Sequence, residues 1–256
     1  MIGKSLLTFS TLNEGILLKR YKRFLADVEL DTGHIVTAHC ANTGPMTGVL
    51  KPGGRVRVRY APSPSRKLSW SWEQAQVVNQ AGNRIWVGVN TALPNKIVRL
   101  AIEAGCFREA LGEIARIRNE VKYGRTGNSR IDLLLTPGEN NCDQRQIFLE
   151  IKNTTWTDGS LALFPDTVTE RGQKHLQEMI DVLPNARALL VPCISRNDVD
   201  LFAPGDAADP IYGNLFRQAL SEGVEVMPCC FGFFSDHITW EGMRPFRETQ
   251  TIFPLP

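Results

Sequence analysis

The ten residues from Ile147 to Trp156 read IFLEIKNTTW. The run starts like a buried strand, yet Glu150 and Lys152 stand two apart near its end. Side chains alternate along a strand, so these two share a face while Ile151 points the other way. An earlier apolar stretch, SRIDLLL (129–135), carries a single acid, Asp132. If the two stretches pair, Asp132 and Glu150 come close together. Two carboxylates repel each other unless a cation stands between them. A hard divalent ion, Mg²⁺ or Mn²⁺, meets that need with oxygen ligands while keeping several waters. Lys152 would then sit beside the ion, placed to orient an attacking water or to stabilise charge developing on a phosphoryl group.

An acid followed by acid-x-lysine across a hairpin is the PD-(D/E)xK arrangement of nucleases. The triplet alone carries little weight, because EVK at Glu120 to Lys122 is a second one. Context favours Glu150: an isolated acid precedes it, and a helical stretch with Gln173 and Lys174 follows. From pattern alone, a surface ion pair on a half-exposed strand explains Glu150 and Lys152 equally well. Glu120, twelve residues before Asp132, reads either as a third acid of the site or as a solvated charge between Arg118 and Lys122.

Other chemistries lack their signatures. The chain has no G-x-G-x-x-G, no G-x-x-x-x-G-K-[ST], no H-E-x-x-H and no G-x-S-x-G, which argues against the commonest cofactor, P-loop, zinc-protease and hydrolase sites. Its six cysteines include no C-x-x-C pair, so they read as reduced small hydrophobes. No apolar run approaches the ~20 residues of a membrane span. The start, MIGKSLLTFSTLNEG, is too weakly apolar for a signal peptide. A cytoplasmic protein with no membrane partner is expected.

Charge is unevenly spread. Residues 1–90 hold twelve lysines and arginines against five acids, while the remainder carries an excess of five acids. A basic module most often faces a polyanion. Two stretches supply the contacts. LLKRYKRF (17–24) interleaves Lys19, Arg20, Lys22 and Arg23 with Tyr21 and Phe24, cations for phosphates and rings for bases. RVRVRY places Arg55, Arg57 and Arg59 on one strand face, and Arg66 and Lys67 follow. Each stripe also reads as a solvated face that resists edge aggregation; together they tip the balance towards nucleic acid. Arg171, Gln173 and Lys174, early in a helical stretch, suit further phosphate contacts.

The elements that must position these residues divide into two modules. Residues 1–90 show five short strands separated by turn signals, a small β-barrel of the OB type. Residues 91–240 follow the order ααβββαβαβ, an α/β sheet with helices on its faces. Asn95 is placed to cap the first helix and Gly105 to end it. A second helix is expected over FREALGEIA (107–115). A third spans 166–183, capped by Asp166 and stopped at Pro184. Residues 241–256 read as a loosely ordered tail.

Seven stretches in order resemble one family: NTGPMTG (42–48), SRKLSWSWE (65–73), GVNTALPN (88–95), EVKYG (120–124), SRIDLLL (129–135), LEIKNTTW (149–156) and FPDTVTERGQKHL (164–176). They are similar to the bacterial sugar fermentation stimulation proteins from about residue 13 to about residue 235. The resemblance implies an OB-type domain followed by a PD-(D/E)xK-like domain. It also implies DNA binding without marked sequence preference and an effect on sugar utilisation, maltose being the usual suggestion. Asp132, Glu150 and Lys152 fill the nuclease-like positions, with Glu120 an addition. The expectation is a DNA-binding protein with an intact acid-acid-lysine set. A non-catalytic regulator that keeps the fold and an enzyme acting on a phosphorylated small molecule are the alternatives.

Overall fold

A computed structural model of the chain describes residues 1–124, 129–183 and 185–249. Its first strand, β1 (Lys4–Thr8), leaves the domain that follows it and pairs with the last strand among the described residues. The chain then builds β2 (Leu12–Tyr21), β3 (Leu25–Leu30), β4 (Ile35–His39), β5 (Arg55–Tyr60), β6 (Trp70–Val78) and β7 (Arg84–Gly88). These form one sheet in the order β4-β3-β2-β5-β6-β7, and a β4–β6 pairing curls it into a barrel. Leu17, Val28, Val56, Val58, Trp72 and Val87 fill its interior. The strand not foreseen in the barrel is β2, which carries most of the basic 17–24 stretch.

After the barrel come α1 (Pro94–Glu103), the single turn α2 (Arg108–Leu111), β8 (Ile114–Tyr123), β9 (Ser129–Pro137) and β10 (Ile147–Thr154). Next are β11 (Trp156–Asp158), β12 (Leu161–Phe164), α3 (Glu170–Val182), β13 (Arg187–Ile194) and β14 (Leu201–Pro204). The chain closes with α4 (Pro210–Glu222), β15 (Glu225–Val226), β16 (Cys229–Phe233) and β17 (His237–Met243). The main sheet runs β1-β17-β16-β13-β10-β9-β8, with β15 alongside β13. β11, β12 and β14 make a small separate sheet.

β10 and β13 are parallel neighbours at the centre, and the near-continuous apolar run of β13 fits burial on both faces. Ile97, Val98 and Phe107 pack against Leu149, Val191 and Phe231 on one side. Leu176, Met179 and Phe216 cover Ala188 and Leu190 on the other. The domains meet where Gly88 abuts Phe233; a Cβ at Gly88 would stand 2.3 Å from that ring. Gly88 N also donates to Ser195 O at 2.8 Å, and Gln74 Nε2 donates to Phe234 O at 2.7 Å.

Several expected boundaries move. Leu93, without a side-chain bond, is the cap residue of α1, and Asn95 lies inside the helix. Gly105, at φ +80°, does end that segment. The second helix stops at Leu111, where Gly112 (φ +70°) turns the chain into β8. α3 begins at Glu170, capped by the Thr169 side chain, which accepts from Gly172 N. Asp166 caps nothing; its carboxylate accepts from Thr47 N in the barrel domain at 3.1 Å. The expected stop at Pro184 lies outside the described residues, as do residues 250–256 of the expected tail. The start of that stretch is ordered structure: β17 runs to Met243, and Phe246 bridges to Phe202.

Candidate active site

β9 and β10 pair at Ile147↔Leu135, Phe148↔Leu134 and Leu149↔Leu133, and there the ladder ends. The next residues in register are Glu150 and Asp132. The strands part at the two acids, and a cleft of about 270 Å³ opens between them. The Asp132 carboxylate stands in for the lost ladder: its Oδ2 accepts from Ile151 N at 2.7 Å. Its Oδ1 accepts from Asn95 Nδ2 at 2.8 Å, a bond brought by α1. Asn95 is therefore a residue of the site, a role its sequence position as a presumed cap concealed.

Glu150 is 3% exposed. Its Oε1 accepts from Lys152 Nζ at 2.8 Å, forming an ion pair. The same oxygen bonds His175 Nδ1 from α3. Arg171 Nε, one helical turn earlier, donates to His175 Nε2 at 3.4 Å. With Nε2 accepting, the network assigns the ring proton to Nδ1, so His175 donates to Glu150. In the sequence His175 follows Arg171, Gln173 and Lys174 in the stretch suited to phosphate contacts, and nothing there ties it to Glu150. The signal that could have found it is its four-residue spacing from Arg171, which aligns both on one helix face.

The two acids differ electrostatically. Burial pushes Asp132 up to about 6, and the neighbouring Glu150 charge adds to this against the Ile151 and Asn95 hydrogen bonds. Burial also acts to raise Glu150, but the Lys152 charge and the His175 bond outweigh it and hold the group below its ordinary value. Glu150 Oε2 is buried with no hydrogen-bond partner among the described residues. Asp132 thus carries a poorly compensated charge near a second carboxylate that keeps one oxygen without a partner among the described residues, and the oxygen donors of such a pair suit a hard divalent cation. Among the described residues no three His, Cys, Asp or Glu side chains gather as a metal cluster. Two carboxylates suffice for an ion that keeps several of its waters.

Glu120 does not complete a three-acid set. The β8–β9 register places it opposite Asp132, but its φ of +52° is unusual for a non-glycine residue. The exposed side chain lines a neighbouring cavity with Ser129, Arg130, Arg171 and Lys174. Gln173 points elsewhere: its Nε2 donates to both oxygens of Asp209 at 3.0 Å, bracing the cap of α4. Lys174 is exposed and Arg171 lines both cavities.

The barrel's cations do not form the free stripe expected of them. Arg55 pairs with Glu14 and Asp31 at 2.7 and 2.6 Å. Arg57 is buried, bonded to Glu14 and Gln74, with its guanidinium 3.8 Å from the Trp86 ring centroid. Arg59 pairs with the fully buried Glu73 at 2.8 Å. Arg66 bonds Ala61 O and Ser71 Oγ. In the 17–24 stretch, Lys19 pairs with Asp27, and Tyr21 Oη donates to Asp27 Oδ1 at 3.1 Å. Arg20 and Arg23 hold the carbonyls of Asn42 and Thr43. Lys19, Lys22, Arg23 and Lys67 are exposed. Acids on adjacent strands claim Lys19, Arg55, Arg57 and Arg59, and carbonyl or hydroxyl oxygens hold Arg20, Arg23 and Arg66. Other exposed cations stand at and beside the cleft: Arg171 lines it, Arg130 and Lys174 line the neighbouring cavity, with Lys174 3.5 Å from Glu178, and Arg116, Arg118 and Lys122 follow the edge strand β8.

The molecule thus joins an OB-type barrel to a mixed α/β domain that brings two acids and a lysine to one cleft where two central strands part. Residues 18–89 match the SfsA N-terminal OB domain, and residues 92–236 match the sugar fermentation stimulation protein RE domain. The chain belongs to the sugar fermentation stimulation protein family. It is 71% identical over 252 residues to a sugar fermentation stimulation protein homolog of Prochlorococcus marinus, covering 98% of this chain and 100% of that one. A Synechococcus homolog is 69% identical over 242 residues, covering 94% and 95% of the two chains. The solved structure of Pyrococcus furiosus SfsA in complex with Ca²⁺ superposes with a TM-score of 0.82 at 26% identity, covering 95% of this chain and 99% of that one. No helix among the described residues is long and apolar enough to cross a membrane.

Proposed function

We propose that the cleft is the active site of a divalent-metal-dependent phosphodiesterase acting on nucleic acid, in a protein that binds DNA without marked sequence preference. The observation that carries this reading is the meeting of Asp132, Glu150 and Lys152 at one opening, with Glu150 Oε2 buried and unpartnered. The Ca²⁺ bound by the Pyrococcus relative supports a divalent ion here. Held by Asp132 and Glu150, Mg²⁺ or Mn²⁺ would supply Lewis-acid polarisation of a phosphate and a more acidic water. Lys152 keeps a positive charge beside the scissile group. His175 fixes Oε1 of Glu150 and leaves Oε2 for the ion. Arg130, Arg171 and Lys174 steer the phosphate backbone across the opening.

A binding-only regulator is the second reading, favoured by the Lys152–Glu150 ion pair, which commits the lysine to the acid. The effect on sugar utilisation suggested by the family name would follow from DNA binding in either case. The deciding assay incubates single-stranded DNA, duplex DNA and RNA with Mg²⁺ or Mn²⁺, beside Asp132→Asn. Cleavage by the wild type and its loss in the variant support the phosphodiesterase. No cleavage under any condition sinks it in favour of the regulator.

A further inference from the structure

Beside the cleft lies a second cavity of about 220 Å³ that the chemistry above does not use. The two share Thr91, Ile151, Lys152 and Asn153 in their walls, so they are adjoining parts of one depression. Asn42 and Asp166 line the new cavity from two domains, and Trp156 and Phe164 give it aromatic walls.

The walls are built firmly. Trp156 lies on Gly205, where a Cβ would stand 2.9 Å from ring atom Cζ3, so the glycine permits the close approach. Arg20 Nη2 and Arg23 Nε donate to the carbonyls of Asn42 and Thr43 at 2.8 and 3.0 Å. Thr91 Oγ1 donates to Ala41 O at 2.9 Å. The Thr47 N bond to Asp166 ties this loop to the other domain. The barrel arginines of the 17–24 stretch thus find a role: they shape this wall.

Its polar groups point to a ligand with its own donors and acceptors. Asn42 Oδ1 accepts from Gly44 N and Asn153 Oδ1 accepts from Ser195 Oγ. Among the described residues neither side-chain NH₂ has a hydrogen-bond partner, and Asp166 has one oxygen uncommitted. Two amide donors, a carboxylate acceptor and aromatic rings next to a phosphate site match a nucleobase.

We infer that this cavity receives one unstacked nucleobase from the nucleotide beside the phosphate held at Lys152. The inference rests on the nucleic-acid reading and narrows it. A base within an intact duplex cannot reach the pocket, so the preferred substrate is a single strand or a duplex opened at that point.

The test measures binding in EDTA, where the metal site is empty and catalysis plays no part. Fluorescence anisotropy compares a short single-stranded oligodeoxynucleotide, its duplex, and a series carrying one abasic position each. The single strand should bind more tightly than the duplex. One abasic position should weaken binding about tenfold, the scale of one lost base–aromatic stack. Trp156→Ala should lose the same amount and become insensitive to that abasic position. Asn42→Ala, in the wall contributed by the barrel domain, guards against misfolding of the tryptophan variant and should weaken the same register. Free dAMP should quench tryptophan fluorescence in the wild type and less in Trp156→Phe. Equal affinity for all abasic strands, tighter duplex binding, or no oligonucleotide binding overturns the inference. Absence of cleavage alongside intact base dependence would overturn only the phosphodiesterase.

Discussion

Asn95 holds Asp132: its Nδ2 donates to Oδ1 at 2.8 Å, so a helix on one side of the sheet orients an acid on the strand beneath it. That hydrogen bond favours the ionised carboxylate and opposes the burial that raises its pKa. Asn95→Ala should therefore push Asp132 further above about 6. A titration of melting temperature with Mn²⁺ at pH 7 should need several-fold more metal than the wild type. An unchanged titration would show that the asparagine is incidental.

Asp132 also sets a pH dependence. Its folded value of about 6 lies above the ordinary 3.8. Between these values the unfolded chain gives up its proton first, so this group's contribution to stability falls as pH rises from about 4 to about 6. Asp132→Asn, measured in EDTA, should gain on the wild type across that window and hold a constant advantage above it. Metal competes with the same proton, so Mn²⁺ affinity of the wild type should weaken below about pH 6. A wild-type-minus-variant difference that ignores pH would remove Asp132 as the titrating group.

Lys152 does two jobs in this site. Its side chain is 11% exposed and neutralises a buried Glu150. Lys152→Ala strands that carboxylate, and breaking a buried pair costs ~3–5 kcal/mol. Denaturant unfolding should show this loss, larger than the ~1 kcal/mol of an exposed pair. Any cleavage should also fall by ~10²–10³. A variant as stable as the wild type would mean the ion pair is replaced by solvent at little cost.

The arginines of β5 and those of the cleft should separate in DNA binding. Arg57→Ala should destabilise the barrel, because it removes a buried guanidinium from Glu14 and Trp86. The salt dependence of DNA affinity should stay as it was. Replacing Arg130, Arg171 and Lys174 should flatten it by ~0.9 per lost phosphate contact on duplex. Filter binding over a salt series distinguishes the two sets, and a slope that falls only in the β5 variant would reverse the assignment.

Gly88→Ala tests the domain contact. The added Cβ would meet the Phe233 ring at 2.3 Å, and overpacking of this kind costs ~1–3 kcal/mol. Small-angle scattering should show a longer molecule if the domains separate, or an unchanged one with a lowered melting temperature if the ring shifts. A variant identical to wild type in both would place little weight on this contact.

The acid-acid-lysine set was legible because it lies on two neighbouring strands whose alternation the sequence displays. His175 and Asn95 were not, because their contacts depend on helices packing over the sheet from either side. The ion pairs of the barrel arginines were hidden for a similar reason: Glu14 is 41 residues from Arg55, and only the β2–β5 pairing brings them together. β1 escaped notice because its strand partner, β17, lies at the far end of the chain.

That last pairing sets an order of events during synthesis. Lys4 leaves the ribosome before the barrel, yet its strand partner Trp240 follows only after the whole barrel and most of the second sheet. The barrel, with its contacts close in sequence, can close while β1 still waits without a neighbour. An exposed strand edge invites pairing with other chains. The early chain therefore carries an adhesive segment for as long as translation takes, and the final hairpin removes it.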